Sequence, residues 1–309
     1  MSSITEKIDA ITGIDKEYRG ATIPAPKAVK IELTGSCDYR CYFCATGAKL
    51  VNRSHMDYSF YLSLLPQLKA LGVEELGLFY LGESFLYPRL PDAIKAAKER
   101  GFPYVFLTTN GRTAVPNRVR ECIAAGLDSL KFSFNWADGE QMKGVTQVDA
   151  FDRVKEHIKQ AALIRDEIEA KTGHHCGIYA SSIRYHGKQQ ERMQEAIDEI
   201  LPYLDEHYYL PLYNPAGLAE SDENEIIHGN QGRADMLRPP LPCWAIFTEA
   251  RITSDGKLTA CCFDHDGKFE MGDLYKQNFM DIWNSPEFVS LRTEHLKGNI
   301  QGTICEGCV

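Results

Sequence analysis

The sequence predicts an α/β fold, a parallel sheet built from six βα units and followed by a small hairpin-plus-helix module. Three observations carry this. Six short apolar runs alternate with runs of helical spacing between residues 28 and 213. Helical runs stop at Gly72, Gly101 and Gly126, the residue type that ends helices most cheaply. Cysteines are clustered: three follow the first strand and five lie in the last quarter.

The elements follow in order. Residues 1–27 read as a polar lead-in. Ala28–Leu33 alternates Val, Ile and Leu with Lys and Glu, a strand pattern. The next strands are expected at Leu76–Leu81, Tyr104–Leu107, Ser129–Phe134, Ile178–Ile183 and Tyr208–Leu212. Helices are expected at Tyr58–Leu71, Leu90–Arg100, Arg118–Ala125, Phe151–Lys171 and Glu191–Leu204. Repeated βα units imply parallel strands with right-handed crossovers. A partial barrel and an open doubly wound sheet both satisfy this, and in either the functional face is the carboxyl end of the strands. Residues 214–240, rich in Pro, Gly, Asn and acidic side chains, read as a linker. In residues 241–309, Ile246–Thr253 and Lys257–Phe263 flank the turn signal Ser254-Asp255-Gly256, and Met280–Leu296 reads as one helix.

Composition narrows the function. The 309 residues are 44 % hydrophobic and 25 % charged, which excludes disorder and fibrous classes. A net charge of −9 offers no excess cation for a phosphate backbone, so neither nucleic acid nor an anionic membrane is an expected partner. No apolar run approaches the roughly 18 residues of a membrane span, and the start lacks a secretory apolar core. The expected location is cytoplasmic. There, ten cysteines point to metal or catalytic chemistry rather than disulfides. Cys122 and Cys176 sit in apolar stretches and read as buried packing.

Cys37, Cys41 and Cys44 lie on the loop after the first strand, close enough to converge on one metal centre. Three ligands leave one position open, as in a 4Fe–4S cubane with a free iron, whereas structural zinc sites close with four. CxxxCxxC in this setting resembles the radical S-adenosylmethionine (radical SAM) superfamily. The resemblance implies a partial (β/α)6 barrel. It places Phe43 near the adenine. It makes Gly82 and Glu83, in Tyr80-Leu81-Gly82-Glu83-Ser84, the counterpart of the family's GGEP-like contact with the methionine amine, with Leu and Ser replacing the outer Gly and Pro. Thr109 and Asn110 end the third strand, Ser133 and Asn135 the fourth, and Ser181 and Arg184 flank the end of the fifth; all are expected around S-adenosylmethionine (SAM). The implied chemistry is one-electron cleavage of SAM to a 5′-deoxyadenosyl radical, which takes a hydrogen from the substrate. It also implies a reducing flavodoxin- or ferredoxin-type electron donor.

In the last quarter, Cys243 precedes Cys261 with Gly256 between them, and Cys305-Glu306-Gly307-Cys308 returns later. This layout resembles the shortened SPASM module called a twitch domain and implies a second 4Fe–4S cluster held by Cys243, Cys261, Cys305 and Cys308. A four-cysteine zinc site is the competing reading. Cys262, next to Cys261, is expected to point to the opposite strand face as packing, although either of the two could be the ligand. Asp264, His265 and Asp266 read as a solvated turn, and no general acid or base stands out.

Relatives of this type modify ribosomally made precursor peptides or oxidise small aminocyclitols and sugars. A peptide maturase is the preferred expectation. The short lead-in would then call for a separate leader-peptide-binding protein or strand pairing, and His207–Tyr213 with Trp244 would line the pocket. A small-molecule dehydrogenase is the alternative, and a non-catalytic iron–sulfur electron carrier the alternative of another class.

Overall fold

The computed structural model describes residues 3–41, 44, 53–213, 226–227 and 232–308. Strands β1 (Ala28–Ile31), β2 (Glu75–Gly77), β3 (Tyr104–Thr109), β4 (Ser129–Ser133), β5 (Gly177–Ile183) and β6 (Glu206–Leu210) are joined by helical crossovers. Each strand pairs in parallel with its successor, in the order 1-2-3-4-5-6. A doubly wound sheet reverses its strand order at a switch point. None occurs here, so the two sequence expectations resolve to the partial barrel. Helices α2 (Tyr58–Ala70), α3 (Leu90–Glu99), α4 (Pro116–Ala124), α6 (Phe151–Thr172) and α7 (Gly187–Ile200) cover its outside, with α5 (Gly139–Thr146) inserted before α6. Val105, Leu107, Leu130 and Phe132 are fully buried, while the alternate residues Tyr104, Phe106, Ser129 and Lys131 line a cavity inside the barrel.

The hairpin of the last quarter joins the same sheet. Strand β9 (Glu249–Ile252) pairs in parallel with β1, from Ala28↔Glu249 to Ile31↔Ile252. Strands β10 (Lys257–Thr259) and β11 (Glu270–Asp273) extend it antiparallel, giving nine strands ordered 11-10-9-1-2-3-4-5-6. A separate two-stranded pair joins β7 (Leu212–Tyr213) to β8 (Ile226–Ile227).

Two expectations change. The lead-in contains helix α1 (Ile4–Thr12), started by a capping box between Ser3 and Glu6. It crosses the floor of the barrel. Ile4 N and Thr5 Oγ1 donate to the Glu206 carboxylate at 3.0 and 2.5 Å, and Lys7 pairs with Glu75 at 3.3 Å above the Tyr104 ring. Glu206, Glu75 and Tyr104 are the first residues of β6, β2 and β3. The single helix expected at 280–296 is two, α8 (Phe279–Trp283) and α9 (Pro286–Lys297). Ser285 caps the second by accepting from Phe288 N, with Pro286 in its first turn. Cys122 and Cys176 are fully buried, as expected.

Candidate active site

The loop after β1 carries Cys37, Cys41 and Cys44 and is held from several sides. Arg40 N donates to Thr146 O at 3.1 Å, and the buried Tyr39 packs edge-on against Trp136. Arg112 Nη1 lies 3.4 Å from the Asp38 carboxylate and donates to Asp38 O at 3.1 Å. Cys44 N donates to Cys41 O at 3.0 Å, turning the two cysteines toward each other. Burial pushes the Cys37 thiol up to about 12, and burial together with the nearby Cys44 and Cys37 sulfurs pushes Cys41 up further. Such thiols become thiolates when a metal takes the proton's place. Phe43 lies outside the described residues.

Next to this loop sits the loop after β2. A Cβ on Gly82 would lie 2.0 Å from Thr34 O, so only glycine permits the approach. Glu83 N donates to Ser36 O at 2.8 Å and closes the two loops together. The Glu83 carboxylate is buried. It accepts from Phe85 N at 3.0 Å, Thr109 Oγ1 at 2.8 Å and Asn110 N at 2.8 Å. Burial raises it to about 7. Glu83 therefore cross-ties the ends of β2 and β3, which shapes the loop from within. Asn110 is placed beside the cysteine loop: its Nδ2 donates to Asp38 Oδ1 at 2.7 Å and lies 3.9 Å from Cys37 Sγ.

The remaining candidates divide. Ser133 is half-buried at the end of β4. Asn135 Oδ1 is occupied by Ile183 N at 3.1 Å. Ser181 is buried, and its hydroxyl meets that of Tyr208. Arg184 is not brought to the site. Its guanidinium lies over the Tyr209 ring and pairs with Asp235 at 2.9 Å.

The second cysteine group surrounds an apolar cavity lined by Cys243, Cys261, Cys262, Cys305 and Cys308 together with Phe263, Phe269 and His295. Cys262 thus faces the same space as the other four, against the expectation. The reason is local: β10 ends at Thr259, residues 262–263 form a turn, and the strand alternation that would have turned Cys262 away no longer applies. A hydrogen bond from Cys261, with Arg251 and Lys30 nearby, holds the Cys262 thiol down. Among the described residues, no group of His, Cys, Asp and Glu converges on a single metal ion. His295 supplies the observation that fits a sulfur-rich group. Its Nδ1 accepts from Cys243 N at 3.2 Å, so the neutral ring carries its proton on Nε2. That Nε2 is buried without a partner, on a side chain that lines the cysteine cavity. A cluster there would offer it the missing acceptor.

Sequence reasoning missed two connections. The Tyr80 hydroxyl donates to Cys261 O at 2.6 Å and accepts from Asp264 N at 3.1 Å, tying the loop of Gly82 to the turn of Cys261 and Cys262. Asp264 is fully buried, accepting from Thr259 Oγ1 at 2.7 Å, and His265 is also buried; only Asp266 is solvated. Inside the barrel, Glu249 pairs with Lys30 at 2.9 Å and with Arg251 at 2.5 Å, and Lys131 stands nearby. Alternating charge along β1, β4 and β9 was the available signal for these lumen groups.

Comparison with known proteins fits this geometry. Residues 31–165 match the radical SAM superfamily, and residues 243–309 match an iron–sulfur cluster-binding (SPASM) domain. A GTP 3′,8-cyclase from Chlorobaculum tepidum is 29 % identical over 127 residues, covering 41 % of this chain and 38 % of that protein. A probable GTP 3′,8-cyclase from Saccharolobus solfataricus is 23 % identical over 289 residues, covering 82 % of this chain and 88 % of that protein. Among solved structures, BtrN in complex with AdoMet and 2-DOIA superposes with a TM-score of 0.58 at 17 % identity over 92 % of both chains. Streptococcus suis SuiB bound to precursor peptide SuiA gives 0.69 at 15 % identity, over 88 % of this chain and 68 % of that one. Those identities speak to the fold alone. Among the described residues no helix is long and apolar enough to cross a membrane. Matched at its amino-terminal cysteine loop and at its carboxy-terminal cysteine module, the chain belongs to the radical SAM superfamily and carries a SPASM-type iron–sulfur domain.

Proposed function

We propose that this protein cleaves SAM reductively and uses the radical on a small-molecule substrate held inside the barrel. The observation that carries this is the stacking of parts at one end of one sheet. The Cys37–Cys44 loop, Gly82 and Ser133 lie at the carboxyl ends of β1, β2 and β4, and the sheet continues through β1 and β9 to the second cysteine cavity. Cys37, Cys41 and Cys44 would hold one 4Fe–4S cluster, and Cys243, Cys305, Cys308 and one of the Cys261–Cys262 pair a second. When bound, these groups supply the electron and the radical chemistry that side chains cannot. The chain's own part is to seal and orient. Helix α1 closes the floor, Tyr80 clamps the two loops together, and Gly82 lets backbone groups approach where a side chain would block them. An electron donor of flavodoxin or ferredoxin type completes the scheme.

The small lumen, with α1 lying across its floor, supports a small substrate, as does the match with BtrN, whose complex holds 2-DOIA, over nearly the full length of both chains. The peptide-maturase reading keeps one specific support, the SuiB fold with its bound precursor peptide. Anaerobic reconstitution followed by measurement of 5′-deoxyadenosine tests the proposal. Reductant-dependent 5′-deoxyadenosine and about eight irons per chain are expected. No cleavage at full iron loading would refute it. Binding of a leader peptide, or of a small leader-binding protein, would move the substrate assignment to the maturase.

A further inference from the structure

Resting on that proposed function, we propose that the barrel lumen holds an anion-binding site centred on Lys131, which takes a carboxylate or phosphate group of the substrate. Lys131 lies on β4, two residues deeper in the barrel than Ser133. Its side chain lines a cavity of roughly 100 Å³ together with Lys7, Lys30, Phe79, Phe106 and Tyr208.

The other cations of this space are already paired. Lys7 holds Glu75, while Lys30 and Arg251 share Glu249. The third carboxylate, Glu206, is taken up by Ile4 N and Thr5 Oγ1 of α1. Lys131 alone of these four cations has no hydrogen bond or ion pair among the described residues. The centroid of the Tyr208 ring lies 5.9 Å from its ammonium, and the Glu249 carboxylate, already shared by Lys30 and Arg251, acts on it from beyond ion-pair distance. An ammonium inside a cavity whose neighbouring carboxylate is already taken by two other cations is costly, and chains rarely keep one unless something pairs with it. A chain of net charge −9 has nonetheless gathered four cations against three carboxylates here. Phe79 and Phe106 add an apolar wall, so the site fits a molecule with one anionic end and a less polar body. Burial lowers the Lys131 ammonium only to about 8, which leaves it mostly charged at neutral pH.

The test is reductive dimethylation of the reconstituted holoenzyme with formaldehyde and cyanoborohydride, read at Lys131 by mass spectrometry. Samples carry sodium chloride, sodium phosphate or sodium acetate at equal ionic strength, with the exposed Lys95 as internal standard. Protection of Lys131 by at least about threefold is expected with phosphate or acetate relative to chloride, with Lys95 unchanged. Protection by phosphate alone supports a phosphate-bearing substrate, and protection by acetate a carboxylate. Equal labelling in all three salts, an equal fall at Lys95, or no labelling of Lys131 in chloride would overturn the site. Labelling needs no turnover, so its failure leaves SAM cleavage, the test of the proposed function, unaffected.

Discussion

Tyr80 and Cys261 are joined by a 2.6 Å hydrogen bond from the phenol hydroxyl to the backbone carbonyl, across a sequence separation of 181 residues. The same oxygen accepts from Asp264 N, so one side chain from the loop after β2 organises the turn that presents Cys261 and Cys262. Replacing Tyr80 by Phe keeps the ring and strands a part-buried carbonyl and amide. Tyr80→Phe should cost about 1–3 kcal/mol and broaden the spectrum of the second cluster more than that of the first. Thermal melts and electron paramagnetic resonance of the reduced protein check this; an unchanged spectrum would remove Tyr80 from the coupling between the loops.

Gly82 is the point of tightest approach between the first two strand ends. Gly82→Ala forces a Cβ against Thr34 O and must displace the loop that carries the cysteines. SAM binding should fall by at least about tenfold, equivalent to about 1.4 kcal/mol, because the loops can no longer close. Equilibrium dialysis with radiolabelled SAM measures it.

Cys37, Cys41 and Cys44 changed together to Ala should abolish 5′-deoxyadenosine formation and remove about half of the iron, sparing the second cysteine cavity. Turnover in the triple variant would misassign the reactive centre.

His295 offers its Nε2 proton to the second cysteine cavity and to nothing else among the described residues. A donor to cluster sulfur stabilises the more negative, reduced state. His295→Phe should therefore lower the midpoint potential of the second cluster by tens of millivolts and leave the first unmoved. Potentiometric titration would read both, and no shift would deny the contact.

Lys131 gives a pH dependence with a defined sign. Burial lowers its pKa to about 8, against an unfolded value near 10.5. The folded state thus binds this proton less readily than the unfolded chain. The penalty is complete below about pH 8 and fades as the pH rises toward 10.5. Lys131→Met should stabilise the ligand-free protein at pH 7 by roughly 1–3 kcal/mol and lose that advantage by pH 10.5. Chemical denaturation at the two pH values compares them.

Much of the framework is legible in the amino-acid sequence. The alternation in Ala28–Leu33, the glycine stops at Gly72, Gly101 and Gly126, and the turn at Ser254-Asp255-Gly256 are local signals, and strands and helices formed where they indicated. The partners of Glu83, the orientation of Cys262, and the diversion of Arg184 to Asp235 were not legible. Each depends on groups brought from distant segments, and no spacing along the chain encodes such distances.

Residue order alone set the chemistry available: two groups of closely spaced thiols, a six-unit parallel framework to carry them, and a glycine where two loops meet. Those follow from residue type and periodicity, which act over a few neighbours. It took the folded chain to lay β9 against β1, to bring Tyr80 to Cys261, and to leave Lys131 without an ion pair of its own inside the barrel. Register and enclosure are set by packing the whole chain, and that sum decides where buried charges are left without partners.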